Sequence, residues 1–297
     1  MNLKTAIIFA KNKFQDKAII SAPLDAEILL LEAINQNRAD KIEKSWLYLN
    51  FEKYILSKKE ENLFKNFVKR REKYEPIAYL IGKKEFYGID FFVDKNVLIP
   101  RVETELIVNE VISILENFKG NLTLIDIGTG SGCIPISILK STSTELRKVY
   151  ANDISFEALE VARKNAKQHK VSSKITFLKC DLGIALEKIK TCDNLILTAN
   201  LPYITPEDYK KLTPNVKNFE PKIALTTKDK GLYHITRLIE KFARLSANTR
   251  SYCILLEADP KQMRSIKVIA EKNLRDINIE IIKDLRGRKR VLKITRK

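Results

Sequence analysis

Asn200-Leu201-Pro202-Tyr203 stands directly after the apolar run Asn194-Leu-Ile-Leu-Thr-Ala199. An asparagine amide, a proline-stiffened backbone and an aromatic ring at the end of a buried strand make a rigid, polar, flat-faced pocket. Such a pocket suits a planar amide or amine whose nitrogen is about to be alkylated. Earlier in the chain, Asp126-Ile-Gly-Thr-Gly-Ser-Gly132 follows another apolar run and precedes the apolar segment Ile134 to Leu139. Glycine permits a tight turn there and lets backbone N–H groups approach a ligand without a Cβ in the way. The spacing is not the G-x-G-x-x-G of dinucleotide binding, and no Gly-Lys-Ser/Thr marks a nucleotide phosphate loop. A purely structural strand-to-helix turn would use the same glycines, so Gly128, Thr129, Gly130, Ser131 and Gly132 gain meaning from their neighbours.

Those neighbours are acidic. Asp153 ends the next run, Val149-Tyr-Ala-Asn-Asp153. It lies about 20 positions beyond the glycines, where a carboxylate can accept hydrogen bonds from both hydroxyls of a ribose. It could equally cap the helix that Phe156 to Ala162 predicts, and the two roles are compatible. Asp181-Leu182 ends the third run, where a carboxylate can read an adenine amino group while an apolar side chain covers the ring. Asp126, just under the glycine turn, is placed to anchor that loop or a ligand ammonium. Three acidic residues at three successive strand ends predict S-adenosylmethionine as the alkyl donor, and Asn200 borders the same site.

The acceptor end follows from the chemistry required. A carboxamide nitrogen is a poor nucleophile because its lone pair is delocalised into the C=O. The side-chain oxygen of Asn200 and the carbonyl of Leu201 can each accept one of its N–H bonds, which fixes the amide and raises electron density on nitrogen. Tyr203 can stack on the amide plane while Pro202 holds the loop. Orientation supplies much of the acceleration, and no strong base is needed, because the alkylated amide loses its proton readily.

Elements must position these residues. From residue 120 onward, strand-like runs (122–127, 148–152, 174–180, 194–199 and 252–257) alternate with helical patterns, which implies βαβ units and a mostly parallel sheet. The tail differs: 277–285 and 290–295 are joined only by a short turn around Gly287, so they must pair antiparallel. The fold class is therefore α/β, Rossmann-like, with an antiparallel C-terminal hairpin. Residues 1–75 read as a small helical domain, with apolar positions at helical spacing in Ala26, Leu29, Leu30 and Ala33, in Leu47, Phe51, Tyr54 and Ile55, and in Leu63, Phe64, Phe67 and Val68. Residues 76–100 read as a linker with a β-hairpin around Gly88, and 101–297 as the catalytic domain.

The 297 residues are 44% hydrophobic, enough for a packed core and against global disorder. No run approaches the ~20 apolar residues that span a bilayer, and Met1 to Ala10 lacks the pattern of a secretory signal. The expectation is a soluble protein of the cytoplasm, with no membrane contact. Cys133, Cys180, Cys192 and Cys253 show no C-x-x-C spacing, and only His169 and His234 could join them. They are expected to be small core residues, with neither a metal site nor a disulfide. The net charge of +17, with eight basic residues against one acidic between Ile281 and Lys297, favours a polyanionic neighbour. A Lys-, Ile- and Asn-rich composition from an AT-biased genome would give the same sign, so ribosome or RNA proximity stays open.

The chain resembles the release-factor glutamine methyltransferase family of the PrmC/HemK type over nearly its whole length. Matching segments are Glu75 to Gly82, Glu85-Phe-Tyr-Gly88, Val97 to Arg101 with Glu103-Thr-Glu105, Asp126 to Gly132, Asn200 to Tyr203, Phe219 to Leu225 and Asp284 to Arg288. The resemblance implies a helical N-terminal domain that docks the protein substrate, a hairpin linker and a seven-stranded catalytic domain. It also implies methylation of the glutamine in the Gly-Gly-Gln tripeptide of peptide-chain release factors. Leu201 departs from the family, which usually has Pro there. Asn-Leu-Pro-Tyr is the form of some adenine N6-methyltransferases acting on ribosomal RNA, which is the alternative. Arg101, Glu103 and Glu105 could shape a substrate entrance or be solvated charges at a helix start, and Glu220 and Pro221 could close the pocket mouth.

Overall fold

The computed structural model describes every residue except 37, 119, 145, 183–186, 188–193, 247–248 and 297. Cys192 is thus outside the described residues. The chain divides into two compact units, one of Met1–Gly82 with Thr213–Phe219, the other of Lys83–Leu212 with Glu220–Lys297.

The first unit carries helices Leu3–Gln15, Ala22–Asn35, Lys44–Leu49, Lys58–Arg71 and Ile77–Ile81. Leu3, Phe14, Leu29, Leu30, Phe64 and Val68 share one apolar core. The helix Lys58–Arg71 starts where it does because Ser57 and Glu60 form a reciprocal capping box. Asp25 and Arg71 are both buried, and Arg71 Nε donates to Asp25 Oδ2 at 2.8 Å, so neither charge is left without a partner. Helical spacing through Phe51, Tyr54 and Ile55 does not produce a helix. Asn50 ends the helix Lys44–Leu49 by turning its Nδ2 back onto the Trp46 carbonyl, and Ile55 forms an isolated antiparallel bridge with Asn2. The helix Ile77–Ile81 carries helical structure beyond residue 75, and Gly82 ends it in the left-handed region.

The second unit opens with the hairpin β1 (Lys83–Phe86) and β2 (Ile89–Phe92), whose two-residue turn has Tyr87 and Gly88 both at positive φ. That is the turn whose twist matches the strands. Strands β3 (Thr123–Ile127), β4 (Lys148–Asp153), β5 (Ile175–Lys179), β6 (Asn194–Ala199), β7 (Ser251–Glu257), β8 (Ile277–Lys283) and β9 (Lys289–Arg296) form one seven-stranded sheet in the order β5-β4-β3-β6-β7-β9-β8. The first five are parallel, and β9 runs antiparallel to both β7 and β8. The sheet is the Rossmann-like methyltransferase layout expected from the alternating pattern. Strands β3 and β6 are mostly apolar and almost wholly buried, as central strands covered on both faces must be.

This order positions the site. The chain moves outward from β3 through β4 to β5, then returns to add β6 on the other side of β3. The reversal opens a crevice at the carboxyl ends of β3 and β6, where ligands of doubly wound sheets bind. The pairing of Ile127 with Ala199 brings the glycine turn and Asn200 side by side.

Candidate active site

At the end of β3 the backbone turns sharply. The N–H groups of Gly128 and Thr129 both donate to the Asn152 carbonyl at 2.9 Å, and Gly128, Gly130 and Gly132 all have positive φ. A Cβ at Gly130 would meet nothing within 4 Å, whereas one at Gly128 would lie 3.0 Å from Leu201 Cδ2. The loop is therefore open toward the crevice at Gly130 and closed against the second motif at Gly128. Asn165, wholly buried, braces it from below. Its Oδ1 accepts from Phe92 N–H, and its Nδ2 donates to the carbonyls of Phe92 and Ser131. One side chain thus ties the hairpin to the glycine turn.

The four acidic strand ends differ in environment. Asp153 accepts from Gly130 N–H and Ser155 N–H, both at 2.9 Å; burial pushes its carboxyl up, against those two donors. It is not the helix cap: the helix Phe156–Gln168 is capped by Ser155, whose hydroxyl accepts from Ala158 N–H. Ser155 occupies the position just before the first helical residue, and Asp153 lies two residues too early. Asp126 is wholly buried and its Oδ1 accepts from the Thr198 hydroxyl at 2.7 Å. Its Oδ2 makes no well-formed hydrogen bond among the described residues, nor do the buried Thr129 Oγ1 and Asn152 Oδ1, although the Thr129 hydroxyl is near enough to pull the Asp126 carboxyl down against its burial. Burial pushes the Asp126 carboxyl up to about 6. Burial also pushes Asp181 up, but the Leu182 N–H and the Arg237 guanidinium 2.8 Å away outweigh it, and the net shift is down. The fourth is Glu257 at the end of β7, buried and pushed up to about 7 by desolvation.

Asn200 follows β6 at the level of Glu257, since Ala199 pairs with Leu256. Asn200 Nδ2 donates to Thr104 Oγ1 at 3.0 Å, and the Thr104 hydroxyl donates to Glu257 Oε2 at 2.6 Å. Among the described residues no donor engages Asn200 Oδ1 or the Leu201 carbonyl, so both can accept from a ligand. The Leu201 side chain is buried in the core with Ile127, Leu182 and Ile235. A leucine here contributes roughly 2 kcal/mol of apolar burial, which gives the residue a structural reason in place of proline's rigidity. The Tyr203 carbonyl accepts from Gln262 Nε2 at 2.9 Å, and burial pushes its phenol up, so it stays neutral.

One cavity gathers Gly128, Thr129, Gly130, Ser131, Asp153, Asp181, Leu182, Asn200, Leu201 and Pro202 along its wall. Asp126, Gly132 and Tyr203 do not line it: Asp126 lies under the loop, and Gly132 packs against Ile136 and Ala162. Thr129 and Asn152, which line the cavity, with open space over Gly130 and the Asp126 carboxyl buried behind them, fit a donor that brings an ammonium and hydroxyls. Cys180 and Cys133 also border this cavity, and Cys253 is buried in the core. Among the described residues no cluster of three His, Cys, Asp or Glu is placed to hold a metal ion.

Sequence reading passed over Thr104, Asn165, Arg237 and Glu257. Glu257 carried the same signal as the other three carboxylates, an acid ending an apolar run. Arg101, Glu103 and Glu105 each have a partner. Arg101 pairs with buried Glu220, which also accepts from Ile99 N–H; Glu103 pairs with Arg290; Glu105 accepts from Tyr87 N–H in the hairpin turn. Of the three, only Arg101 lines the cavity, and neither Glu220 nor Pro221, expected at its mouth, is part of its wall.

A model described as PrmC N-terminal domain matches residues 5–82, and one described as Methyltransferase domain matches residues 118–282. The chain is 37% identical over 286 residues to a release factor glutamine methyltransferase of Rhodopirellula baltica, covering 94% of this chain and 91% of that protein. It is 38% identical over 284 residues to the protein of the same name from Leptospira interrogans, covering 94% and 93%. Among solved structures, the catalytic domain of hMettl16 bound to a MAT2A 3′UTR hairpin shares the fold, with a TM-score of 0.55 at 18% identity over 70% of this chain and 75% of that one.

Proposed function

Because the chain belongs to the release factor glutamine methyltransferase family, we propose that it methylates the side-chain amide nitrogen of the glutamine in the Gly-Gly-Gln tripeptide of peptide-chain release factors, using S-adenosylmethionine. S-adenosylmethionine, when bound, supplies an electrophilic methyl carbon on sulfur. Asp153 would accept from its ribose hydroxyls, Asp181 and Leu182 would hold the adenine, and the buried Asp126 carboxylate would favour its ammonium from behind the Gly128–Gly132 turn. Asn200 Oδ1 and the Leu201 carbonyl accept the two N–H bonds of the glutamine amide, and Tyr203 and Pro202 keep that loop in shape. These two acceptors would fix the orientation of the amide plane, and they would strengthen as positive charge develops on nitrogen. With the methyl supplied from that sulfur, the amide nitrogen would give up its proton to solvent. An enzyme with this substrate works in the cytoplasm, where release factors act.

The observation that carries this reading is the pair of unengaged acceptors at Asn200 and Leu201 beside the glycine turn. Leu201 and the charge of +17 favour a second reading, adenine N6-methylation of ribosomal RNA. Incubation of the protein with labelled donor and, in parallel, purified release factor and ribosomal RNA separates the two. Label in the release factor alone is expected, and label in the RNA alone would select the alternative.

A further inference from the structure

We propose that Glu257, acting through Thr104, sets which end of the Asn200 amide faces the substrate, a positioning role that rests on the glutamine reading above. The Thr104 hydroxyl has one proton and gives it to Glu257 Oε2 at 2.6 Å. It therefore has none for Asn200 and can only accept, which it does from Asn200 Nδ2 at 3.0 Å. The amide is thus held with its NH2 toward Thr104 and its oxygen toward the cavity. A substrate amide that must donate two N–H bonds needs that orientation; the flipped amide would present a donor to a donor. Thr104 and Glu257 are both buried, so water does not compete for these bonds.

Protonation would invert the chain of bonds. Glu257 carrying a proton can donate to Thr104, which can then donate to Asn200 Oδ1 and release the amide to flip. Burial raises the Glu257 carboxyl to about 7 against the Thr104 hydrogen bond; nearby Glu103 adds to the rise, while Arg290 and Arg101 oppose it. Tyr203 and Cys133 also face it, both kept neutral by burial. Turnover therefore rises with pH through neutrality as Glu257 ionises.

The test uses the full chain with two readouts. Turnover on release factor is followed against pH at saturating donor for wild type, Glu257→Gln, Thr104→Val and Thr104→Ser, with donor affinity as the folding control. Side-chain amide NMR of Asn200 is followed across the same range without substrate. Thr104→Val is expected to lose turnover by about tenfold, the worth of one misdirected hydrogen bond, whereas Glu257→Gln, whose amide oxygen still accepts from Thr104, keeps turnover at high pH; each variant loses the acid limb while keeping donor affinity. Thr104→Ser restores both, and the Asn200 NH2 signal titrates near neutrality in wild type and Thr104→Ser only. An unchanged acid limb and NH2 titration in Glu257→Gln, or unchanged turnover in Thr104→Val, would overturn the relay. A wild type that fails to methylate release factor while its Asn200 NH2 still titrates would leave the relay standing and overturn the substrate.

Discussion

Two residues show how function and stability pull apart here. Asn200→Ala removes one of two acceptors used most strongly as nitrogen becomes positive, so turnover should fall about 10²- to 10³-fold while donor affinity, measured by calorimetry, is largely kept. An equal fall in both would mean that Asn200 chiefly supports the donor. Asp126 carries the opposite balance. With its carboxyl raised to about 6, the folded chain keeps a proton that the unfolded chain has released, from the ordinary aspartate range up to pH 6. Stability therefore declines as pH rises through that window, and a rise of that size in a carboxyl pKa is worth about 3 kcal/mol. Asp126→Asn keeps an acceptor for Thr198 and removes the charge. It should be the more stable protein in urea at pH 8, with a smaller gain at pH 5, and should bind donor more weakly; identical pH dependence of the two unfolding curves would refute this role for the buried carboxyl. The residues at strand ends were legible because a carboxylate closing an apolar run is conspicuous. Thr104 was not, because its two partners lie at the ends of β6 and β7, far along the chain, and only the sheet order makes them neighbours.

At the scale of elements, the loop after β6 is held from outside the motif. Gln262 Nε2 donates to the carbonyls of Tyr203 and Lys230, and Gly231, at φ +84, leaves room for it: a Cβ there would collide with Gln262 Nε2 and with the Tyr203 carbonyl. Gly287, at φ +75, meets nothing within 4 Å. Gly287→Ala should therefore cost only the left-handed strain, about 1 kcal/mol, with turnover intact. Gly231→Ala adds a clash that must move backbone, for a total of about 2–4 kcal/mol, and should lower turnover by displacing Tyr203. Thermal unfolding and kcat on the two variants check the contrast, and similar losses from both would contradict it. The buried runs of β3, β6 and β7 were plain in the sequence because central strands are mostly apolar. The short helix Ile77–Ile81 was hidden inside an expected linker, since five residues give periodicity too little length to register. Phe51, Tyr54 and Ile55 show the converse: helical spacing without a helix, because Asn50 intervenes.

For the whole molecule, ligand linkage gives a thermodynamic handle. If the crevice holds S-adenosylmethionine or its demethylated product, saturating the protein at about 100 times Kd should add about 2.7 kcal/mol to unfolding. Asp153→Ala should reduce that gain by weakening affinity; unchanged affinity would refute the ribose role. The +17 charge is partly committed within the fold, as Arg290 pairs with Asp284 and Glu103 and Lys293 with Glu110 and Glu280, so basic composition alone does not choose a nucleic acid as substrate. The most direct test of amide methylation at this site is tandem mass spectrometry of release factor after incubation with donor and either wild type or Asn200→Ala. N-methylglutamine within the Gly-Gly-Gln tripeptide is expected from wild type and should be nearly absent with the variant. A methyl group on any other residue, or equal yield from both proteins, would contradict the role given to Asn200 and its substrate.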